Sequence, residues 1–257
     1  MEWIWLTLFS FSIGILVVSL GGGGGALYVA LLPVLFGIPL KEATVISIIT
    51  IIPTTLGGSY SHYRNGHVAF RRAWPMLLFA IGGCVVGALL SKYAAPALFK
   101  KLVGGVLAFF GLLMLRPRKK KDPQASGAHG YVRGFWFWLT SVFFGVLGGL
   151  MSGFLGLSGT AAILPGLMSL DLDAPSVIGT SVLLLCGISI TSFLSHLIQG
   201  MSFDWPVIIC LCCGAMAGGW LGPVLMRKVN KQVIVRVVFP IMAALVIISG
   251  IMMLIKK

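Results

Sequence analysis

Gly21-Gly22-Gly23-Gly24-Gly25 separates an apolar run long enough to cross a bilayer, residues 3–20, from one too short to cross comfortably, residues 26–38. Five consecutive glycines disfavour a continuous helix, each by about 1 kcal/mol relative to alanine. Lipid cannot satisfy the backbone groups that such a break frees. At membrane depth the break must therefore sit inside protein or beside a cavity. Two readings follow. The break is a glycine-rich loop closing the first helix, or it is a backbone-lined site for a small anion, because bare N–H groups at a helix start favour negative charge. A second break, Gly156-Leu157-Ser158-Gly159-Thr160, follows the apolar run 135–155 and precedes the short run 161–170. That recurrence favours the anion site.

Outward from the breaks the chain is almost entirely apolar. Of its 257 residues, 58% are hydrophobic and 10% charged, which leaves no room for a separate soluble domain. A helical span takes about 20 mostly apolar residues. Eight such runs can be marked, at 3–20, 43–60, 73–90, 97–115, 135–155, 175–197, 205–226 and 233–255. The start, Met1-Glu2-Trp3-Ile4-Trp5, lacks the basic region of a signal peptide, so the first run is expected to stay as a transmembrane helix. The reading is an all-α polytopic membrane protein of the cell (inner) membrane, with eight full spans and two short half-helices after the breaks.

The net charge of +13 is not a nucleic-acid signal, because the basic residues lie at span ends and in one linker. That linker holds Arg116, Arg118, Lys119, Lys120, Lys121 and Arg133 against one acid, Asp122. It could bind anionic lipid, but its commoner role is to fix the loop in the cytoplasm. The five cysteines all fall in apolar runs, as buried thiols do that pack as small hydrophobes rather than bind metal.

The two halves echo each other, as residues 1–116 and 135–257 joined by the linker 117–134. Ser61-His62-x-x-x-Gly66 matches Ser195-His196-x-x-x-Gly200, and Gly83-x-x-x-Gly87 matches Gly218-x-x-x-Gly222. Gly111-x-x-Met114-Leu115 resembles Gly250-x-x-Met253-Leu254, and Gly21 and Gly24 fall opposite Gly156 and Gly159. Repeats of this kind are common in secondary transporters. If the short runs also traverse, the halves are inverted, and 13 of the 19 lysines and arginines lie inside. Parallel halves leave 11 inside. The charge rule favours inversion.

No carboxylate lies within a span, which argues against a cation route and suits an anion route built from N–H groups and hydroxyls. Candidate substrate-binding residues are Gly23, Gly24, Gly25, Ser158, Gly159 and Thr160 in the breaks. Ser47, Thr50, Thr54, Ser181 and Ser192 join them on the spans that follow. Such hydroxyl stripes also serve as helix–helix glue. Pro53 is expected to kink or open its span. His62 and His196, at matching positions, are candidates for moving a proton with the anion, or each simply hydrogen-bonds at a helix end.

The chain resembles the sulfite exporter TauE/SafE family of bacterial and archaeal membrane proteins. The resemblance rests on the two glycine-rich breaks, on Leu164-Pro165, on Gly179-Thr180-Ser181, and on the turns near Gly66 and at Phe203-Asp204-Trp205. It covers nearly everything but the linker. The first half departs from the pattern, with Ala30 where a proline is usual and Val45-Ile46-Ser47 in place of the small-residue triplet. The resemblance implies a secondary transporter, of exporter type, for small sulfur-containing anions such as sulfite, sulfonates or sulfoacetate. An anion channel and a membrane-embedded histidine-dependent enzyme are the alternatives. Neither a cofactor nor a metal is expected. The expected partners are the anion and the bilayer, with proton or sodium coupling and homo-oligomerisation left open.

Overall fold

The computed structural model describes residues 2–20, 24–115, 134–170, 172–200, 204–228 and 239–255. Gly23, the basic linker up to residue 133, and the start of the last apolar run lie outside the described residues. Ten helices and no strand occur among the described residues: α1 (Glu2–Leu20), α2 (Gly25–Leu35), α3 (Leu40–Arg64), α4 (Phe70–Tyr93), α5 (Pro96–Leu115), α6 (Phe135–Leu155), α7 (Thr160–Met168), α8 (Ala174–Ile198), α9 (Trp205–Lys228) and α10 (Phe239–Ile255).

Within the described residues, α3, α4, α6 and α8 are both long and apolar enough to cross a membrane. Their outer faces carry exposed Leu56, Leu78, Leu89, Phe143 and Leu194, a surface suited to lipid rather than water. The short helices α2 and α7 have 11 and 9 residues. At about 1.5 Å per residue each covers roughly half of a ~30 Å hydrocarbon core.

Local chemistry sets the boundaries. Asp173 caps α8, its carboxylate accepting the Ser176 N–H at 3.4 Å, and hydrogen bonding with the Ser176 side chain first, then with that N–H, holds its carboxyl below the usual carboxylate range. The helix α3 begins at Leu40, three residues before its apolar run. Pro39 sets the entry, and Glu42 falls in the first turn, where negative charge is favoured. Pro53 does not open α3, which is helical throughout. The proline lacks the N–H that would reach the Ile49 carbonyl, and the Cys212 thiol of α9 donates to that oxygen instead, at 3.8 Å.

The most extensive pairings are α4 with α6 and α1 with α9, followed by α5 with α10 and α3 with α8. Glycine makes these approaches possible. A Cβ on Gly14 would lie 2.7 Å from the Ala215 carbonyl oxygen, and one on Gly149 would collide with the Ala80 carbonyl oxygen. These two contacts are the same contact with the halves exchanged, since 135 residues separate Gly14 from Gly149 and Ala80 from Ala215. Gly83 against Val146 and Gly218 against Phe11 repeat the relation. So do the helix pairs, because α4 packs on α8 and α9 on α3.

Chain direction can be read from the same contacts. Gly58 lies against Val182 and Gly179 against His62, so α3 and α8 run antiparallel. Gly104 lies against Gly250 and Gly111 against Ala243, so α5 and α10 are antiparallel too. Gly145 meets Met76 and Gly153 meets Cys84, so α4 and α6 are parallel.

Candidate functional site

The two glycine-rich breaks meet. Gly25, the first residue of α2, backs onto the second break, where a Cβ would lie 2.6 Å from the Gly156 carbonyl oxygen and 3.0 Å from the Ser158 nitrogen. Both short helices start in the same way. Gly24 (φ 69°, ψ −3°) precedes α2 and Gly159 (φ 65°, ψ 0°) precedes α7, both left-handed and neither supplying a side-chain cap. Each glycine's carbonyl accepts the first helical bonds, from Leu27 and Tyr28 in one half and from Ala162 and Ile163 in the other. The N–H groups of each first turn therefore point back toward the junction of the breaks, with the positive end of the helix dipole behind them.

The second break is wound unusually. Gly156 (φ 69°), Ser158 (φ 58°) and Gly159 are all left-handed, and Ser158 is the one non-glycine with positive φ among the described residues. Successive turns of this kind gather backbone N–H groups into a concavity that suits an anion. Ser158 is buried, and its hydroxyl lies 2.8 Å from that of Thr160.

Hydroxyls from α3 complete the surroundings. Ser47, fully buried, is 2.8 Å from the Gly156 carbonyl oxygen and 2.7 Å from that of Thr44, and donates to them. Thr44, absent from the sequence reading, also touches Gly156 through its methyl. The structure thus brings Gly24, Gly25, Ser47, Ser158, Gly159 and Thr160 to one place. Gly23 lies outside the described residues.

The remaining candidates are placed differently. Thr50, Thr54 and Ser181 each donate to a carbonyl of their own helix, at Ile46, Ile51 and Ile178 respectively. Ser192 is buried on α8 beside the Cys84 thiol of α4. Of the triplet Gly179-Thr180-Ser181, the first two residues clamp the α3–α4 turn. Gly179 packs on His62 and the His67 carbonyl, and the Thr180 hydroxyl accepts the Ala69 N–H at 2.9 Å.

The two histidines, matched in sequence, are not matched in surroundings. His62 is half-buried in the last turn of α3, its ring 6.2 Å from that of His67. His196 is buried, with Nε2 3.0 Å from the Gly153 carbonyl oxygen of α6.

Proteins similar to this chain carry names of one kind. A probable membrane transporter protein YdhB of Bacillus subtilis (strain 168) is 27% identical over 95% of this chain and 99% of its own length. A probable membrane transporter protein of Xylella fastidiosa (strain 9a5c) is 26% identical over 88% of this chain and 84% of its own. The probable membrane transporter protein YunE of Bacillus subtilis (strain 168) is 27% identical over 80% of both. No solved structure matches the chain. Residues 6–253 match the family described as Sulfite exporter TauE/SafE, so this multi-pass, all-helical membrane protein belongs to that family of transporters.

Proposed function

We propose that the protein is a secondary transporter, working as an exporter in the inner cell membrane, for small sulfur-containing anions such as sulfite and sulfonates. The anion is held where the two breaks meet. One observation carries this reading. Two half-length helices, each started by a left-handed glycine, bring their N-termini to one buried junction. Backbone N–H groups bind an oxyanion there without a lysine or arginine, and the absence of a carboxylate from the spans leaves nothing to repel it.

The architecture belongs to the same proposal. Eight helices span, each break with its half-length helix, α2 or α7, makes the fifth crossing of its half, and the halves are inverted repeats. The antiparallel pairs α3–α8 and α5–α10 support inversion. A two-fold axis that relates two antiparallel spanning helices must lie in the membrane plane, whereas an axis along the membrane normal would make them parallel. The exchange of contacts between Gly14–Ala215 and Gly149–Ala80 supports the duplication.

Counterflow in vesicles tests the transport reading. Purified protein in liposomes preloaded with sulfite or isethionate should take up the same radiolabelled anion several-fold faster than protein-free vesicles. Ser47→Ala, which releases the Gly156 carbonyl and so loosens the second break, should slow this exchange. Wild-type protein that exchanges neither anion would rule out the proposed substrate class.

A further inference from the structure

The end of α6 determines what His196 does. The Gly156 N–H bonds to the Ser152 carbonyl at 3.0 Å, and the Leu157 N–H reaches back six residues to the Met151 carbonyl at 3.3 Å. This turn closes the helix on a left-handed glycine. It also takes the Leu157 N–H away from Gly153, which would otherwise receive it. The Gly153 carbonyl can only accept, so the ring nitrogen 3.0 Å away, Nε2 of His196, carries the hydrogen. In the neutral ring Nδ1 is then a bare lone pair. It is buried and has no partner among the described residues.

Ser189 and Ser192 lie seven and four positions before His196 on the same face of α8, fully buried. Ser152 adjoins Gly153 on α6 and is equally buried. The Ser152 and Ser189 hydroxyls also lack partners among the described residues, and that of Ser192 lies beside the Cys84 thiol of α4. A buried polar group left unsatisfied forfeits its hydration with nothing in return, and native structures hold few of them. A bare Nδ1 buried behind the Gly153 contact marks a place that something else visits.

We infer that Nδ1 of His196 is the proton site of the carrier, loaded and emptied in step with the anion, and that His62 is not. This rests on the transporter reading above. The step is a proton transfer only: the Nδ1 lone pair takes a proton to give an imidazolium whose Nε2–H stays on Gly153, and the same proton leaves when the ring returns to neutral. The Ser192 oxygen, one turn earlier on the same face of α8, supplies an acceptor for the new N–H. The positive ring offsets the anion's charge inside a low-dielectric core.

Few other titratable groups face this region. Neither α6 nor α7 has a titratable side chain. From α4 come the Cys84 thiol, which donates to the Ile188 carbonyl at 3.5 Å, and, beyond Gly87 at the same end, exposed Lys92 and Tyr93. The helix α8 itself adds buried Cys186. Given the antiparallel register, α3 brings Lys41 and Glu42 to this end. Lys41 donates to the Ala94 carbonyl at 3.2 Å, and Glu42 is exposed. Tyr60, His62, Tyr63 and Arg64 lie at the far end of α3.

The test separates exchange, which needs no net proton movement, from accumulation driven by a pH gradient. With one proton per anion, a one-unit gradient supports up to about tenfold accumulation. His196→Gln keeps an N–H for Gly153 but cannot titrate. Purified His196→Gln in liposomes should still exchange isethionate, or sulfite as a second probe, faster than protein-free vesicles, though more slowly than wild type, yet lose gradient-driven accumulation altogether. His62→Gln should keep both. Accumulation retained by His196→Gln overturns the inference while leaving the transporter reading intact. Wild-type protein that exchanges neither probe overturns both. Titration calorimetry of wild-type protein with the exchanging probe, in buffers of different ionisation heat, adds a reading independent of any variant. About one proton taken up or released per anion is expected, and none overturns the inference.

Discussion

Ser158 is a residue whose backbone and side chain can be tested apart. Left-handed backbone costs a non-glycine residue about 1–2 kcal/mol, and Ser158 adopts it while buried. Ser158→Gly relieves that cost but adds freedom to the unfolded chain, so folded stability should rise by at most about 1 kcal/mol. Ser158→Ala keeps the strain. Both variants remove the hydroxyl that pairs with Thr160. If that pair orders the N–H groups of the second break, exchange should fall several-fold in both, while the melting temperature rises only in the glycine variant. Unchanged exchange in both would take the hydroxyl out of the site. Composition and periodicity could point to the hydroxyls but not sort them. Ser47, Thr50 and Thr54 lie along one stretch of α3, yet of the three only Ser47 reaches the second break, because it lies against the Gly156 carbonyl. The difference between His62 and His196 was equally hidden, since it depends on a carbonyl freed by a turn in another helix.

The helices were largely legible, because an apolar run of span length has few other uses. The Gly83-x-x-x-Gly87 pattern also performs the close packing it suggests, with both glycines against α6 backbone. What the hydropathy pattern missed lies at the ends, where α3 starts on Leu40-Lys41-Glu42, polar enough to read as a turn but held by Pro39. It missed too the continuity of α3 through Pro53, which depends on a thiol from α9. The packing yields a prediction from neighbouring glycines on one helix. A Cβ on Gly83 would lie 2.5 Å from the Val146 carbonyl oxygen, whereas one on Gly82 would meet nothing within 4 Å. Gly82→Ala should therefore leave stability equal or raise it by up to about 1 kcal/mol, the helix-propensity gain. Gly83→Ala must push α4 and α6 apart and should cost more than 1 kcal/mol, by analogy with overpacked cores. On α5, Gly105→Ala and Gly104→Ala should differ in the same sense, because Gly104 faces the Gly250 carbonyl and Gly105 faces open space. Thermal unfolding in detergent compares each pair, and equal loss in both members would dismiss the contact geometry.

The relative direction of the two halves is a property of the whole molecule, and it decides how the proposed site can reach both sides. The sequence carried it only as a narrow margin in the placement of basic residues. The folded chain adds the direction of α3 against α8, read at Gly58–Val182 and Gly179–His62. If both helices span, their C-terminal ends emerge on opposite faces of the membrane. A junction built from one break of each half then lies between two routes related by the in-plane axis, and rocking one half against the other exposes it to each side in turn. Parallel halves would put both C-terminal ends on one face. Arg64 and Ile198 mark those ends, and both are exposed. Arg64→Cys and Ile198→Cys, each in a chain whose native cysteines are replaced by serine to keep a donor for the Ile49 carbonyl, can be labelled with an impermeant maleimide. In intact cells only Cys at 198 should react, and in inside-out vesicles only Cys at 64, as the positive-inside bias places Arg64 in the cytoplasm. Reaction of both positions from the same side would mean parallel halves, and the shared site would then need another way to alternate its exposure.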